Sequence, residues 1–177
     1  MVGRNKAVFL DRDGVLVKSI IKKRKGYAPR NLKEFSLYPN IAESCENLKK
    51  RNYYLIIITN QPDLGKELIN EKIFNKMNEI LRKKILFDKI YVSKSHSLSS
   101  YYRKPNSGLF KLAIRKYNLD IAKCFMIGDR KSDIDAATNV NCKSIFIDRN
   151  YVDEKPKGQI AEVYSLKKAV DVILKKG

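Results

Sequence analysis

The sequence predicts an α/β fold, because short apolar runs with the composition of strands alternate with longer segments of helical periodicity. A near-continuous run of β-branched and aromatic residues, typical of a strand buried on both faces, occupies residues 53–59. A second apolar run occupies residues 7–10, and both runs end abruptly in polar residues. Since α/β folds build ligand sites at the carboxyl ends of their strands, we expect functional residues to follow these runs.

The remaining elements are predicted from the same two periodicities. Strands are predicted at five apolar runs, residues 7–10, 53–59, 90–92, 124–127 and 144–147. Helices are predicted to begin where a favourable first residue precedes apolar residues at helical spacing, namely at Pro39, Asn70, Asn106 or Ser107, and Ser165. Two segments are predicted to be loops, residues 15–30 and 148–158.

The composition indicates one basic domain with a real hydrophobic core. The 177 residues are 44% hydrophobic, which suits a single domain over residues 1–177. Lys and Arg number 37 against 19 Asp and Glu, so the formal charge is +18 and anionic partners are favoured. Such a charge attracts phosphorylated metabolites and nucleic acid alike, and by itself it does not choose between them.

The cysteines and the absence of long apolar segments bear on location. Cys45, Cys124 and Cys142 are far apart in the sequence, so we expect free, buried thiols in a reducing cytoplasm rather than a disulfide framework. No run has the length of a signal peptide or a membrane span, so no membrane partner is expected. The sequence leaves the oligomeric state open, and a monomer is favoured.

Two carboxylates directly follow the first predicted strand. Asp11 and Asp13 are two residues apart, and they concentrate negative charge unless a cation or a transferable proton lies between them. A magnesium ion would remove that cost, because it binds carboxylate oxygens. Gly14 lets the chain turn sharply and approach the site closely.

This segment, DRDGV, resembles the first motif of the haloacid dehalogenase superfamily of phosphotransferases, Asp-x-Asp-Gly-Thr/Val after the first strand. The resemblance implies that Asp11 is the nucleophile that attacks phosphorus. It also implies that Asp13 is the general acid that protonates the leaving oxygen. Taken alone, the segment has a simpler interpretation as a solvated turn, since Asp and Gly favour turns for local reasons.

Three later segments resemble the other motifs of the superfamily. The strand end at Thr59 and Asn60 matches the second motif, which implies that these residues bind the transferring phosphoryl oxygens. Lys104, in the segment RKP, matches the third motif, whose lysine neutralises the charge gathered by nucleophile, metal and phosphoryl group. The segment GDRKSD matches the fourth motif, in which Asp129 would be a magnesium ligand and Asp133 would support the metal's waters or Lys104.

The resemblance implies a three-layer Rossmann-like domain around a mostly parallel central sheet. The intervals between motifs are too short for a sizeable cap domain, so the site is expected to be open. The family pattern places magnesium between Asp11, the backbone carbonyl of Asp13 and Asp129.

The segment before RKP departs from one branch of the superfamily. In the heptose bisphosphate and histidinol phosphate phosphatases, the equivalent loop carries cysteine and histidine ligands of a structural zinc. Residues 93–102 contain no cysteine and only one histidine, His96, so no structural zinc is expected here. Arg103 is expected to bind a distal phosphate or substrate hydroxyls, as its counterpart in that branch does.

A basic run in the loop after the first strand is the second departure from that branch. Lys22, Lys23, Arg24 and Lys25 are candidates for binding a second anionic group of the substrate, because loops at this edge of the sheet build ligand sites. The alternative is a solvated charged face, as most charge runs are.

The four motifs together are most similar to the branch of heptose 1,7-bisphosphate phosphatases. That resemblance implies a magnesium-dependent phosphatase that acts on a small phosphorylated sugar through an aspartyl-phosphate intermediate. The enzymatic alternatives are a histidinol-phosphate-like phosphatase and a nucleic acid 3′-phosphatase, with nucleic acid as the second choice of partner. The non-enzymatic alternative is a binding or scaffold protein on the retained fold.

Overall fold

The fold was obtained as a computed structural model, which describes residues 4–176. Within this range lie eight strands: β1 (Lys6–Leu10), β2 (Ile20–Lys22), β3 (Lys25–Tyr27), β4 (Tyr53–Asn60), β5 (Lys89–Ser93), β6 (Phe125–Gly128), β7 (Lys143–Ile147) and β8 (Ala161–Val163). The same range contains six α-helices: α1 (Ile41–Lys50), α2 (Pro62–Gly65), α3 (Glu71–Lys84), α4 (Gly108–Tyr117), α5 (Lys131–Thr138) and α6 (Leu166–Lys176).

The central sheet has six strands in the order β5-β4-β1-β6-β7-β8, and every neighbouring pair is parallel. β1 lies between β4 and β6, with Leu10 opposite Ile57 on one side and Ile127 on the other. Because the strands run in one direction, their carboxyl ends meet at a single edge of the sheet. The predicted parallel α/β architecture is therefore confirmed.

Each face of the sheet packs against its own set of helices. Val8 and Leu10 of β1 belong to a core shared with α1 and α6, whereas Ala7 and Phe9 belong to a second core shared with α4 and α5. This alternation follows from the two-residue period of a strand, whose successive side chains point to opposite faces. Because both faces are covered by helices, the strands are apolar throughout. This arrangement confirms the predicted three-layer architecture.

The segment after the first motif differs from its prediction. Residues 15–30 were predicted to be a loop, yet they contain the antiparallel hairpin of β2 and β3. Lys23 and Arg24 form its tip with positive φ angles of 48° and 59°, as in a two-residue type I′ turn. Such a turn usually carries Asn or Gly, so two basic residues did not signal it.

The structure also contains two elements that the sequence did not predict. β8 is a three-residue edge strand, too short to show a periodicity, and α2 is a single turn that starts at Pro62. No domain-sized insertion interrupts the described residues between β1 and α1, where the hairpin is the largest element. The predicted absence of a sizeable cap is thereby confirmed.

The remaining bulk predictions concern cysteines and membranes. All three cysteines are free and buried, as expected. None of the helices within residues 4–176 is both long enough and apolar enough to cross a membrane.

Candidate active site

The predicted acidic residues converge at the carboxyl edge of the sheet. Asp11 follows β1 and Asp129 follows β6, and these two strands are neighbours. The backbone N–H of Asp11 donates to the carbonyl of Ile127 at 3.0 Å, which continues the ladder past the end of the strand. One carboxylate oxygen from each of Asp11, Asp129 and Asp133 lies within 4.8 Å of the others. Residues from the two ends of the motif series are thus brought into one cluster.

A cavity opens beside this cluster, and most of the predicted site residues line it. They are Asp11, Asp13, Thr59, Asn60, Arg103, Lys104 and Asp133. Asp129 lies deeper and is 1% exposed. Three predicted substrate-binding residues, Lys22, Lys23 and Arg24, are exposed on the hairpin and are not among the lining residues. Their role in binding stays a prediction.

Lys104 is a buried cation between two of the carboxylates. Its Nζ donates to Asp11 Oδ1 at 2.9 Å and to the carbonyl of Ile58 at 2.7 Å, and it pairs with Asp133 Oδ1 at 2.6 Å. Burial alone would lower the pKa of Lys104, but Asp11 and Asp133 raise it above its ordinary value. The lysine therefore stays charged and compensates the two carboxylates.

Asp133 is fully engaged by the protein. Its Oδ1 pairs with Lys104, and its Oδ2 accepts from the backbone N–H groups of Asp129 and Arg130 at 3.1 and 3.0 Å. These contacts place Asp133 at the start of α5, where it satisfies N–H groups that have no helical partner. Burial raises the pKa of Asp133 to about 6, although Lys104 opposes the shift.

Asp129, by contrast, is buried with no donor in hydrogen-bond geometry. Within the described residues, neither of its carboxylate oxygens has a hydrogen-bond partner. Burial raises the pKa of Asp129 well above its ordinary value, and the nearby Asp11 raises it further, although the nearby Tyr151 hydroxyl opposes the rise. A buried carboxylate of this kind needs a cation, and two unpaired oxygens close to Asp11 suit the hard oxygen site that magnesium prefers. The residues present therefore fit a magnesium ion.

Asp13 is held by two residues that sequence reasoning missed. Arg12 Nη1 donates to Asp13 Oδ1 at 2.7 Å, and Gln61 Nε2 donates to Asp13 Oδ2 at 2.5 Å. Burial raises the pKa of Asp13 despite the opposing charge of Arg12. Arg12 is completely buried, and no periodicity marks a polar residue in a turn as buried. The signal for Gln61 was its place directly after the second motif.

The residues of the second motif contact both the backbone of Lys104 and the cavity. The side chain of Asn60 donates to the Lys104 carbonyl and accepts from the Lys104 N–H, both at 3.0 Å. Thr59 Oγ1 accepts from Gln61 at 2.9 Å, which leaves its own hydroxyl proton free to donate. Asn60 thus braces the loop that carries the lysine, while Thr59 offers a donor in the cavity.

The loop before Lys104 is held by polar contacts. Asn106 Nδ2 donates to the carbonyls of Leu98 and Ser100, both at 2.9 Å, and Arg103 Nη1 donates to the carbonyl of Ser95 at 2.7 Å. The role of Asn106 was not foreseen, because an asparagine in a turn has many local uses.

Two aromatic rings also pack against each other in this loop. The rings of Tyr101 and Tyr102 meet edge to face, with centroids 5.2 Å apart. The acidic cluster able to hold a metal takes no residue from the loop 93–102. The expectation that this loop binds no structural zinc stays a prediction.

The hairpin is attached to the site from the other side. Arg130, which follows Asp129 and lines the cavity, donates to the carbonyl of Gly26 and pairs with Asp153. Its guanidinium also lies 4.9 Å from the centre of the Tyr151 ring. Sequence reasoning missed Arg130 because the fourth motif specifies only its acidic positions.

The family model described as haloacid dehalogenase-like hydrolase matches residues 4–147. This span contains all four motifs and the whole acidic cluster. The chain therefore belongs to the haloacid dehalogenase-like hydrolase family.

Individual relatives agree with this assignment. The D-glycero-alpha-D-manno-heptose-1,7-bisphosphate 7-phosphatase of Campylobacter jejuni is 32% identical over 149 residues, which cover 81% of this chain and 83% of that protein. The histidine biosynthesis bifunctional protein HisB of Bacteroides fragilis is 28% identical over 162 residues, covering 88% of this chain. The match spans only 42% of HisB.

A solved structure supports the fold. The D,D-heptose 1,7-bisphosphate phosphatase from B. bronchiseptica, complexed with magnesium and phosphate, superimposes with a TM-score of 0.81. The alignment covers 98% of this chain and all of that one at 20% sequence identity. The likeness at this identity concerns the fold.

Proposed function

We propose that this protein is a magnesium-dependent phosphatase that hydrolyses one phosphate monoester of a sugar bisphosphate, with D-glycero-D-manno-heptose 1,7-bisphosphate as the first candidate. The observation that carries the proposal is the state of Asp11. Its side chain keeps 11% of its surface exposed to the cavity while Oδ1 is fixed at 2.9 Å by the buried Lys104. A carboxylate that is oriented by a cation and still accessible has what a nucleophile needs.

In the proposed reaction, an oxygen of Asp11 attacks phosphorus as the bond to the sugar oxygen breaks. Asp13 gives its proton to the departing oxygen, so that the leaving group is an alcohol rather than an alkoxide. In the second step, Asp13 takes a proton from water, which attacks the aspartyl phosphate and regenerates Asp11. One carboxyl group thus serves both steps, with its proton returned at the end.

The residues around phosphorus share the task of stabilising charge. The free hydroxyl proton of Thr59 is available to a phosphoryl oxygen. Lys104 offsets the charge of Asp11 and Asp133 through its existing contacts. A magnesium ion would be held by Asp11, the Asp13 carbonyl and Asp129, and it would supply positive charge to the phosphoryl oxygens.

The choice of sugar rests on similarity and on charge. A relative that is 32% identical, and covered over most of its length, acts on heptose 1,7-bisphosphate according to its name. The basic residues Lys22, Lys23 and Arg24 and the cavity residue Arg103 are candidates for the second phosphate. Such residues favour a bisphosphate over a monophosphate of similar size.

The proposal is tested by measuring phosphate release with magnesium from a panel of substrates. The panel contains heptose 1,7-bisphosphate, a hexose bisphosphate, histidinol phosphate and a 3′-phosphorylated oligonucleotide. We expect kcat/KM for the heptose bisphosphate to exceed the others by about tenfold or more. A preference for the oligonucleotide that weakens steeply with salt would contradict the proposal and assign the positive charge to nucleic acid binding.

Two variants accompany the panel. Asp11→Asn keeps the size of the side chain and is expected to abolish turnover without loss of the fold. Replacement of Lys22, Lys23 and Arg24 by Gln is expected to raise KM for the bisphosphate more than KM for a monophosphate. An equal change in KM for both substrates would show that these residues do not bind the second phosphate.

Histidinol phosphate is the second candidate. HisB matches 88% of this chain, although the chain spans less than half of that bifunctional protein. A higher kcat/KM for histidinol phosphate than for any bisphosphate would select this alternative.

A further inference from the structure

Arg12, which lies between the two aspartates of the first motif in the sequence, is completely buried. Its Nε donates to Asn78 Oδ1 at 3.0 Å, and its Nη2 donates to the sulfur of Met77 at 3.6 Å. Both partners belong to α3. The guanidinium carbon also lies 4.8 Å from the centre of the Phe74 ring on the same helix. Arg12 thus connects the catalytic turn to a helix behind it.

A buried charge is costly unless it has a charged partner. An apolar side chain of similar length would pack between Phe74 and Met77 at lower cost. Among the hydrogen-bond partners of Arg12 in the described chain, Asp13 alone is ionisable, and its Oδ1 lies 2.7 Å from Nη1. The guanidinium is therefore best explained by its contact with Asp13.

Gln61 contacts the other oxygen of the same carboxylate. Its Nε2 lies 2.5 Å from Asp13 Oδ2 and 2.9 Å from Thr59 Oγ1, and the residue is 1% exposed. The backbone N–H of Gln61 is fixed by the carbonyl of Ser93 at 2.7 Å, so the amide is anchored to the end of β5. Each Asp13 oxygen consequently has one rigid donor.

Two donors on two oxygens determine the plane of a carboxyl group. A carboxylate oxygen accepts about two hydrogen bonds, so each oxygen of Asp13 keeps a site for a proton. Asp13 also lines the cavity, where the leaving oxygen of a bound phosphate monoester would lie. The arrangement orients Asp13 without blocking it.

We propose that Arg12 and Gln61 are positioning residues that hold the Asp13 carboxyl group in line with the leaving oxygen. The inference rests on the proposed function. In the step concerned, the Asp11–phosphorus bond forms and the bond from phosphorus to the leaving oxygen breaks. The leaving oxygen keeps the electron pair and receives the proton from Asp13. Misorientation of Asp13 slows this step in proportion to how much the leaving group needs the proton.

The test compares two substrates that differ in that need. 4-Nitrophenyl phosphate releases a stable phenolate and departs without a proton, whereas an alkyl phosphate such as a hexose 6-phosphate releases an unstable alkoxide. The quantity measured is kcat/KM, because it includes leaving-group departure and excludes later hydrolysis of the aspartyl phosphate. We expect Arg12→Met to lower kcat/KM about 100-fold for the alkyl phosphate and less than about threefold for the aryl phosphate.

Gln61→Met provides an independent variant, should Arg12→Met fail to fold. It removes the amide donor, keeps the approximate length of the side chain, and is expected to give the same selective loss. Arg82→Met is the matched control. Arg82 also lies over an aromatic ring, 4.0 Å from the centre of Phe87, and its hydrogen bond goes to the Phe87 carbonyl rather than to a cavity residue. We expect this control to leave the ratio of kcat/KM for the alkyl phosphate to kcat/KM for the aryl phosphate unchanged.

A structural role alone predicts a different result. Variants that only reduce the folded fraction lower kcat/KM equally for both substrates. Equal losses of kcat/KM on the two substrates in Arg12→Met and Gln61→Met would overturn the inference. Asp11→Asn separates this failure from that of the proposed function. If Asp11→Asn remains active on both substrates, the proposed mechanism is wrong; if it is inactive while the ratio stays constant in the other variants, only the positioning role is wrong.

Discussion

A Cβ atom on Gly14 would lie 1.8 Å from Oδ2 of Asp129, far inside van der Waals contact. Gly14 also has a φ of +88°, a conformation that other residues adopt only under strain. The turn after β1 therefore approaches the buried carboxylate as closely as a backbone can. This contact links the first and fourth motifs directly.

Gly14→Ala is expected to abolish phosphatase activity, because the added methyl group displaces Asp129 or the catalytic turn. Gly158→Ala is a matched control, since Gly158 has a φ of +87° but no atom lies within 4 Å of the position that a Cβ would take there. The control is expected to lose about 1 kcal/mol of stability through backbone strain and to remain active. Activity and chemical denaturation of both variants test the prediction, and a fully active Gly14→Ala would contradict it.

Lys104→Met is expected to destabilise the metal-free protein by about 3–5 kcal/mol, because it leaves Asp11 and Asp133 buried without their cation. Urea denaturation measures the loss. Lys155→Met is the control, since that lysine is itself exposed where it pairs with Asp148 and Glu162. We expect little change in the control, and a similar loss in both variants would show that burial of the pair is not decisive.

Magnesium is expected to raise the Tm of the wild-type protein, since it binds the folded cluster and not the unfolded chain. Asp129→Asn is expected to remove most of this shift. Asp135→Asn should retain it, because Asp135 pairs with Lys131 on the surface of α5. Thermal unfolding with and without magnesium checks this without any measurement of activity.

The magnesium-induced shift in Tm is also expected to depend on pH. Burial and Asp11 raise the pKa of Asp129, so the carboxyl group takes up a proton at a higher pH than an exposed aspartate. A proton on Asp129 competes with the metal, and the shift should shrink as the pH falls from about 8 to about 5. A shift that grows on acidification would contradict the assignment of Asp129 as a ligand.

Asn106→Ala is expected to loosen the loop 93–103, because it removes the donor to the carbonyls of Leu98 and Ser100. Leu98 lines the cavity, so we expect a higher KM for the sugar phosphate and faster proteolysis within the loop. Asn139→Ala is the control, since the side chain of Asn139 donates to the carbonyl of Pro105 beyond the loop. Equal cleavage rates in both variants would argue against a bracing role.

Local sequence patterns were sufficient to predict the fold class and the acidic centre. Apolar runs that end in polar residues located β1, β4 and β6, because strands buried on both faces have no polar positions until they leave the core. Since the carboxyl ends of parallel strands lie at one edge of the sheet, the residues that follow those strands are expected to lie close together. The position of Asp11 was predictable from a strand end, whereas Asp129 and Lys104 were predicted from the resemblance of their segments to the family motifs.

The polar residues that support this centre became visible only in three dimensions. Arg12 resembles any turn residue in the sequence, and its burial arises because α3 lies behind the catalytic turn. Gln61 and Asn106 act through hydrogen bonds to backbone or side-chain atoms elsewhere in the chain, and such partners have no fixed sequence spacing. The physical reason is that apolar periodicity records which faces are buried, whereas a hydrogen bond is specified by positions in space.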